Sequence, residues 1–245
     1  MCGRYAVTLP PEAMAELFRT LNRLDFPPRY NIAPTQPIVT VLNEHGRRVQ
    51  KLMRWGLVPG WVKDPREFPL VINARVETMG DKPTFRDPLR HGRCIIPASG
   101  YYEWHTSSDG KTKQPYFITL RNGEPMAFAG LYSIWAGPNG EEIDTAATIT
   151  VAANPDLSHI HDRMPAVLQG DALEQWLDTA TVNAKTAGQL ALPLPEGAVN
   201  HHPVDRAIGS NKAEGPQLIV PVTIEERAPA SAKKVTAASR QMSLF

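Results

Sequence analysis

The stretches QPYFITL (residues 114–120), MAFAGLYSIWA (126–136) and TAATITVAAN (145–154) carry the clearest secondary-structure pattern of the chain. Their apolar residues alternate or follow one another almost without interruption, as in strands that pack against a core. The turn residues Gly137-Pro138-Asn139-Gly140 separate the second stretch from the third. This pattern predicts three strands joined by hairpin turns, and therefore a largely antiparallel sheet.

More strands are predicted on both sides of this region. They are a hairpin of PIVTVLN (37–43) and RRVQKLMRWGLVP (47–59), a strand pair of Arg93–Pro97 with Gly100–Trp104, and short strands in HHPVDRAI (201–208) and QLIVPV (217–222). Helices are predicted over PPEAMAELFRTLNRL (10–24), DALEQWLDTA (171–180) and roughly residues 182–190. The proline-rich FPPRYNIAPTQP (26–37) is expected to be an irregular loop.

These elements predict an α+β fold in which a mixed, mostly antiparallel sheet curls into a barrel-like core with short helices around it. Residues 1–222 are expected to form one domain. From residue 223 the composition changes to IEERAPASAKKVTAASRQMSLF, rich in alanine, serine and lysine and without apolar periodicity. Such a segment is expected to be a disordered tail.

Composition limits the functions that the chain can have. Two cysteines cannot form a disulfide framework, and the amino-terminal residues lack the apolar core of a signal peptide, so we expect a reducing cytoplasm. No apolar run approaches the ~18 residues that span a bilayer. The net charge of +1 does not favour nucleic acid binding. If DNA is the partner, basic residues must be concentrated locally.

The second residue of the chain is a cysteine. If Met1 is removed, Cys2 carries an α-amine and a thiol on adjacent carbons, which can capture an aldehyde as a five-membered thiazolidine. An α-amine titrates near ~7.8, well below a lysine near ~10.4, so more of it is uncharged at neutral pH. The alternative is that Cys2 is an uncleaved or buried small residue in a frayed terminus.

Glu103 in GYYEW and His161 in HDRMP could serve such a nucleophile, because attack on a carbonyl carbon needs groups that accept and donate protons. Glu103 is either an exposed carboxylate on an edge strand or a desolvated acid with a raised pKa. Asn73, at a strand end, is a site residue or a cap. His159 and His161 could also bind a metal, although no further ligand spacing supports this.

The motifs MCGRY, APTQP, RWGLVPGW, INARVET, GRCIIPASGYYEW and IHDRMPAVL, in this order, resemble the SRAP family over about residues 2–222. Members of this family are abasic-site processing proteins that crosslink themselves to DNA, and they are also described as SOS-response-associated peptidases. The resemblance implies that Cys2 forms a thiazolidine with C1′ of an abasic site in single-stranded DNA. It implies that Asn73, Glu103 and His161 line the pocket, with no cofactor and no metal.

The same resemblance implies a DNA-binding set, namely Arg4, Pro34, Trp61, Arg75, Arg86 and Arg163. The arginines are expected on phosphates, and Trp61 on a base near the lesion. Many relatives carry a second aromatic residue after this tryptophan, where this chain has Val62. We therefore expect weaker binding to a duplex junction beside the lesion.

The chain ends in Gln241-Met242-Ser243-Leu244-Phe245, which resembles the pentapeptide that binds the bacterial sliding clamp. Leu244 and Phe245 would enter a groove of the clamp, and Met242 replaces the usual leucine at similar volume. A monomer acting in the cytoplasm at replication forks is expected. Slow reversal or lyase-like behaviour is expected to accompany the crosslinking. The rival functions are a thiol autoprotease or peptidase that uses Cys2, and a non-covalent reader of modified bases.

Overall fold

The computed structural model describes residues 2–224. Twelve strands occur in this part of the chain: β1 Tyr5–Val7, β2 Arg29–Ile32, β3 Pro37–Glu44, β4 Arg47–Trp55, β5 Asn73–Arg75, β6 Arg93–Ala98, β7 Gly100–Thr106, β8 Lys113–Leu120, β9 Met126–Ala136, β10 Glu142–Ala152, β11 Arg163–Pro165 and β12 Val199–Pro203. The α-helices are α1 Pro11–Phe18, α2 Val76–Met79, α3 Pro83–His91, α4 Asp171–Leu177 and α5 Ala184–Leu190. Short 3₁₀ turns follow at Arg206–Gly209 and Pro216–Ile219. The expected α+β class is confirmed.

Five strands close into a barrel in the order β10-β4-β3-β6-β9, and β9 pairs with β10 again. All neighbours are antiparallel except β4 and β10, which pair in parallel at Arg54 and Trp55 opposite Thr145 and Ala146. The predicted hairpin of β3 and β4 is confirmed. Its two turn residues, His45 and Gly46, both have positive φ, which suits the twist of a two-residue hairpin.

The second sheet has the order β12-β8-β7-β1-β2 and is antiparallel throughout. One face packs on the barrel, where Tyr5 makes edge-on contacts with Trp55 and Phe128, and Tyr101 also contacts Phe128. The other face is covered by a smaller cluster that includes Tyr102, beneath the 3₁₀ turns. The sheet is therefore buried on both faces.

Two predicted strand pairings are wrong. The segments 93–97 and 100–104 are strands β6 and β7, but they belong to different sheets, because the chain crosses from the barrel at Ser99, whose amide bonds to Ala6. Likewise β8 pairs with β7 and β12 rather than with β9. Of the three strands predicted between residues 114 and 154, only β9 and β10 therefore form a hairpin. Alternation shows which face is apolar, but not which strand lies alongside.

Three boundaries also differ from the sequence prediction. Helix α1 ends at Phe18 instead of residue 24, because Arg19 is left-handed (φ 52°) and the Leu21 amide then bonds to Arg48 of β4. The expected loop 26–37 contains strand β2, since its prolines lie outside the paired residues. The strand expected in 217–222 is wrong, because Pro216–Ile219 form a 3₁₀ turn that buries Leu218 and no strand follows it within the described residues. No helix among residues 2–224 is long and apolar enough to cross a membrane.

The C-terminal half of β10 brings separate parts of the chain together. It pairs in parallel with β5, with Thr148 opposite Asn73 and Thr150 opposite Arg75. On its other side it pairs with β11, with Ala152 opposite Arg163. The predicted limit between domain and tail at residue 222 stays a prediction, because nearly all of the tail lies beyond the described residues.

Candidate active site

Cys2 lies immediately before β1 and is only 1% exposed. Its backbone oxygen accepts a 2.9 Å hydrogen bond from Nδ2 of Asn73, the first residue of β5. Its thiol lies 3.8 Å from the backbone oxygen of Arg4, and that oxygen also accepts from the Tyr102 amide of β7. Cys2 is therefore fixed between the barrel and the second sheet, and it is not part of a frayed end.

Glu103 lies on β7, which runs between β1 and β8. Strands β1 and β7 are antiparallel and Tyr5 is paired with Tyr101. Glu103, two residues after Tyr101, therefore lies beside the residues that precede Tyr5. Tyr101 and Glu103 are two residues apart and share the face that packs on the barrel. Glu103 is 2% exposed, and burial raises its pKa from 4.5 to about 7. Of the two alternatives for this carboxylate, the desolvated acid is correct.

His161 lies in the turn between β10 and β11, with its Nε2 atom 3.9 Å from Oε2 of Glu103. Its Nδ1 atom lies 2.9 Å from both the Arg163 amide nitrogen and Oδ1 of Asp162. One tautomer cannot bond to both. The amide can only donate, and the Asp162 carboxylate is 82% exposed to water, so we assign Nδ1 as an acceptor. The ring hydrogen is then on Nε2, towards Glu103.

The electrostatics of these groups suit proton transfer near neutral pH. Burial lowers the pKa of His161, which favours the neutral ring with Nε2–H as a donor. Glu103, with a pKa of about 7, can accept and return a proton in that range. Burial raises the pKa of the Cys2 thiol, and the neighbouring Glu103 carboxylate raises it further. The thiol therefore needs a base before it can act as a nucleophile.

The sequence analysis did not identify two buried tyrosines whose pKa values are influenced by Cys2. The hydroxyl groups of Tyr5 and Tyr101 are buried with no hydrogen-bond partner among residues 2–224, as is Oδ1 of Asn73. Burial raises the pKa of Tyr101, and the negative charges that Cys2 and Glu103 can carry raise it further. The i, i+2 spacing of Tyr101 and Glu103 within GYYEW was the available signal.

Two of the predicted phosphate ligands are already engaged by protein groups. Arg4 donates to Oδ1 of Asn31 at 2.7 Å, and to Asn211. Arg163 forms a bidentate pair with Glu77, with N–O distances of 2.6 and 3.0 Å, and it also donates to a backbone oxygen of β10. The sequence analysis did not identify Asn31 or Glu77 as partners.

The other predicted DNA-binding residues are more accessible. Arg75 is exposed at the end of β5, and Arg86 is exposed on α3, where it donates to the backbone oxygen of Asp81. Pro34 is half-buried in the turn before β3. Trp61 is 61% exposed and packs edge-on against Phe68, with ring centroids 5.8 Å apart.

The structure bears on the possible metal site but not on the clamp motif. Among the described residues, no group of three or more histidine, cysteine, aspartate or glutamate side chains could hold a metal ion. The predicted clamp-binding residues, 241–245, lie outside the part of the chain that the structure describes.

Comparison with known proteins gives one consistent family. The family model for "SOS response associated peptidase (SRAP)" matches residues 1–211. The abasic site processing protein YoqW of Bacillus subtilis (strain 168) is 37% identical over 222 residues, which cover 89% of this chain and 99% of that protein. The abasic site processing protein YedK of Escherichia coli (strain K12) is 34% identical over 230 residues, covering 91% and 100%.

Solved structures agree with the fold. A phage-related protein from Bordetella bronchiseptica is 31% identical with a TM-score of 0.68, covering 84% of this chain and 95% of that chain. A protein from Bacteroides thetaiotaomicron has a TM-score of 0.80 at 24% identity, covering 91% and 100%. At that identity the second match supports the fold alone.

Proposed function

The chain belongs to the SRAP family, and from this premise we propose that it captures abasic sites in single-stranded DNA by forming a covalent thiazolidine through Cys2. Relatives that share over 30% of its sequence along nearly their whole length are named abasic site processing proteins. An abasic sugar is a hemiacetal in equilibrium with an open aldehyde, which a 1,2-aminothiol can capture. Shielding of this lesion would be the role of the protein in DNA damage.

One observation carries the proposal. A buried cysteine at position 2 lies beside a carboxyl group whose pKa is about 7 and a neutral imidazole whose Nε2 is 3.9 Å from that carboxyl group. These are the nucleophile, the proton acceptor and the proton donor that addition to a carbonyl carbon needs. Removal of Met1 would supply the free amine.

In the proposed reaction, Glu103 accepts the proton of the C1′ hydroxyl as Nε2–H of His161 protonates the sugar ring oxygen, and the hemiacetal opens to the aldehyde. The proton on Glu103 then passes to Nε2, which restores both groups. The Cys2 amine then adds to C1′, its surplus proton passes to Glu103, and loss of one water gives an imine. The thiol adds across the C=N bond, and its proton reaches the imine nitrogen through Glu103. The sum is amine, aldehyde and thiol converted to a thiazolidine and one water, without oxidation or reduction.

The pKa of Cys2 favours this order of steps over a thiolate peptidase. Cysteine peptidases depend on a lowered thiol pKa, whereas burial raises that of Cys2. A nucleophilic amine needs no thiolate in the first step. The same groups serve the reverse reaction, so we also propose slow reversal with lyase-like behaviour.

For DNA, we propose that Arg75 and Arg86 bind phosphates directly and that Trp61 stacks on a base, because these side chains are exposed. Arg4 and Arg163 would contact phosphates from positions that Asn31 and Glu77 already fix. Pro34 would shape the turn beside them. We propose that the protein acts as a monomer on one strand.

Intact mass spectrometry after mixing with an abasic oligonucleotide tests the covalent step. The expected adduct has the mass of the DNA plus the protein without Met1, minus one water. Cys2→Ala should give no adduct, and Cys2→Ser only an imine that borohydride traps. Cys94→Ala is the matched control, since Cys94 is buried inside the barrel. An adduct that survives Cys2→Ala but not Cys94→Ala would refute the proposal.

We further propose that residues 241–245 bind the replication sliding clamp and so deliver the protein to replication forks near the nucleoid. A short peptide of this kind should bind near micromolar, about 8 kcal/mol, and tethering then raises the local concentration. Fluorescence anisotropy of a labelled 239–245 peptide against the clamp of the source organism tests this. Binding that is absent at about 100 µM clamp, or that persists after Leu244→Ala with Phe245→Ala, would exclude the clamp.

A further inference from the structure

Three histidines that take no part in the proposed reaction lie together beside the active site. His105 belongs to β7, His201 to β12, and His159 to the turn that carries His161. Nδ1 of His105 lies 2.7 Å from the backbone oxygen of His159. The rings of His159 and His201 have centroids 5.1 Å apart. The turn is thus attached to the second sheet two residues before His161.

These contacts lie on the face of the sheet that carries Glu103. Glu103 is paired with Tyr116 of β8, and the Tyr116 ring packs edge-on against His201 with centroids 5.9 Å apart. His105 follows Glu103 by two residues, so both side chains project from the same face of β7. The histidines therefore connect the strand that bears the carboxyl group with the turn that bears the imidazole.

The bond from His105 does not depend on its charge. A backbone oxygen only accepts, so Nδ1 of His105 must carry a hydrogen, which it does in one neutral tautomer and in the charged form. Protonation of this ring therefore preserves the attachment. The hydrogen bond from His105 therefore joins β7 to the turn in either form of the ring.

The contact of His201 depends on charge. Burial lowers the pKa of His201, the nearby His159 and His202 lower it further, and Asp156 raises it. Its Nδ1 is buried with no hydrogen-bond partner among the described residues, and Tyr116 is the other ionisable group against the ring. Acid that protonates His201 therefore puts a positive charge against His159, which opposes that charge, and the tilted contact between the two rings becomes unfavourable.

We propose that His105 and His201 are positioning residues for His161, which hold residues 157–161 on the sheet so that the imidazole stays beside Glu103. The inference rests on the proposed crosslinking function. The turn has further attachments, because Leu157 and Ile160 are buried. Loss of one histidine should therefore displace His161 without unfolding the protein.

The test uses the full chain and a single-stranded oligonucleotide with one abasic site, with the crosslinking rate constant at saturating DNA and the DNA Kd measured separately. His105→Leu removes the donor and should lower the rate constant by about 10-fold, within the roughly 100-fold that a 1 Å displacement can cause. The Kd should not change. His105→Asn, whose amide nitrogen can replace Nδ1, should restore most of the rate.

The pH profile tests the second contact. His201→Phe keeps an aromatic ring that cannot be charged, so its rate relative to the parent should rise about 3-fold or more between about pH 7 and about pH 5, where histidine titrates. His202→Gln is the matched control, because the His202 ring packs on Phe117 on the opposite face and bonds through Nε2 to Ile219. This control should follow the parent profile closely, since His202 has the smallest of the influences on the pKa of His201.

The outcomes separate the two proposals. A parent protein that forms no adduct refutes the crosslinking function itself. A parent that crosslinks while His105→Leu is equally fast, or while His105→Asn is as slow as His105→Leu, refutes the positioning role of His105. Equal pH profiles for the parent and His201→Phe refute the role of His201.

Discussion

Replacement of Glu103 by glutamine should slow the reaction and stabilise the protein at the same time. Folding raises the pKa of this carboxyl group from 4.5 to about 7, so the folded protein holds its proton more tightly than the unfolded chain does. The stability that this group contributes is therefore complete below about pH 4.5 and is lost as the pH rises through about 7. At 1.36 kcal/mol for each pH unit, the loss is about 3 kcal/mol.

Glutamine has no carboxylate to desolvate, so Glu103→Gln should match the parent near pH 4.5 and exceed it by up to about 3 kcal/mol at pH 8. In a chain of this size that is roughly 6 to 12 °C in Tm. Urea unfolding across the pH range measures the difference, and the exposed Glu142→Gln is the control. Crosslinking should fall by about 10²- to 10⁴-fold. A stability difference between Glu103→Gln and the parent that does not vary with pH would refute the buried-acid argument.

Three more predictions concern binding and stability. Arg75→Ala and Arg163→Ala should each reduce the salt dependence of DNA binding by about one phosphate, but only Arg163→Ala should also lower the urea midpoint, because it leaves Glu77 without its partner. Trp61→Ala should weaken DNA binding by about 1 to 3 kcal/mol in a titration, with an unchanged Tm, since the ring is 61% exposed. Arg93→Met should destabilise the fold by about 3 kcal/mol or more in urea, because the buried Arg93 donates to four backbone oxygens.

The sequence predicts strands more reliably than their partners. The β3–β4 and β9–β10 hairpins follow from turns that lie within the chain itself. The pairing of β7 with β1 joins residues nearly 100 positions apart, and no local signal at Ser99 indicates that the chain leaves the barrel there. The C-terminal end of α1 could not be predicted for the same reason, since the left-handed conformation of Arg19 depends on the neighbouring β4.

At the site, residue types could be predicted but their environments could not. The sequence left Glu103 equally balanced between an edge strand and a buried one, and only its position on a central strand raises the pKa. The tautomer of His161 depends on the Arg163 amide, which donates to Nδ1. The motif HDRMP contains this amide but does not show which way it points. Arg4 donates to Asn31 and Asn211, which lie in distant segments of the chain, so the sequence could not show these contacts.

The burial of Cys2 has a consequence for the order of events during synthesis. The strand that covers it, β7, begins at Gly100, and His161 follows later still. At a translation rate of 5 to 20 residues per second, the first hundred residues take on the order of 5 to 20 s, during which β7 is not yet available to cover Cys2. If the proposed function is correct, we expect Met1 to be removed in this interval, because Cys2 is only 1% exposed in the finished fold. A chain that folds before Met1 is removed would lack the free amine that the proposed reaction needs, so the rate of folding would limit the fraction of molecules that can react.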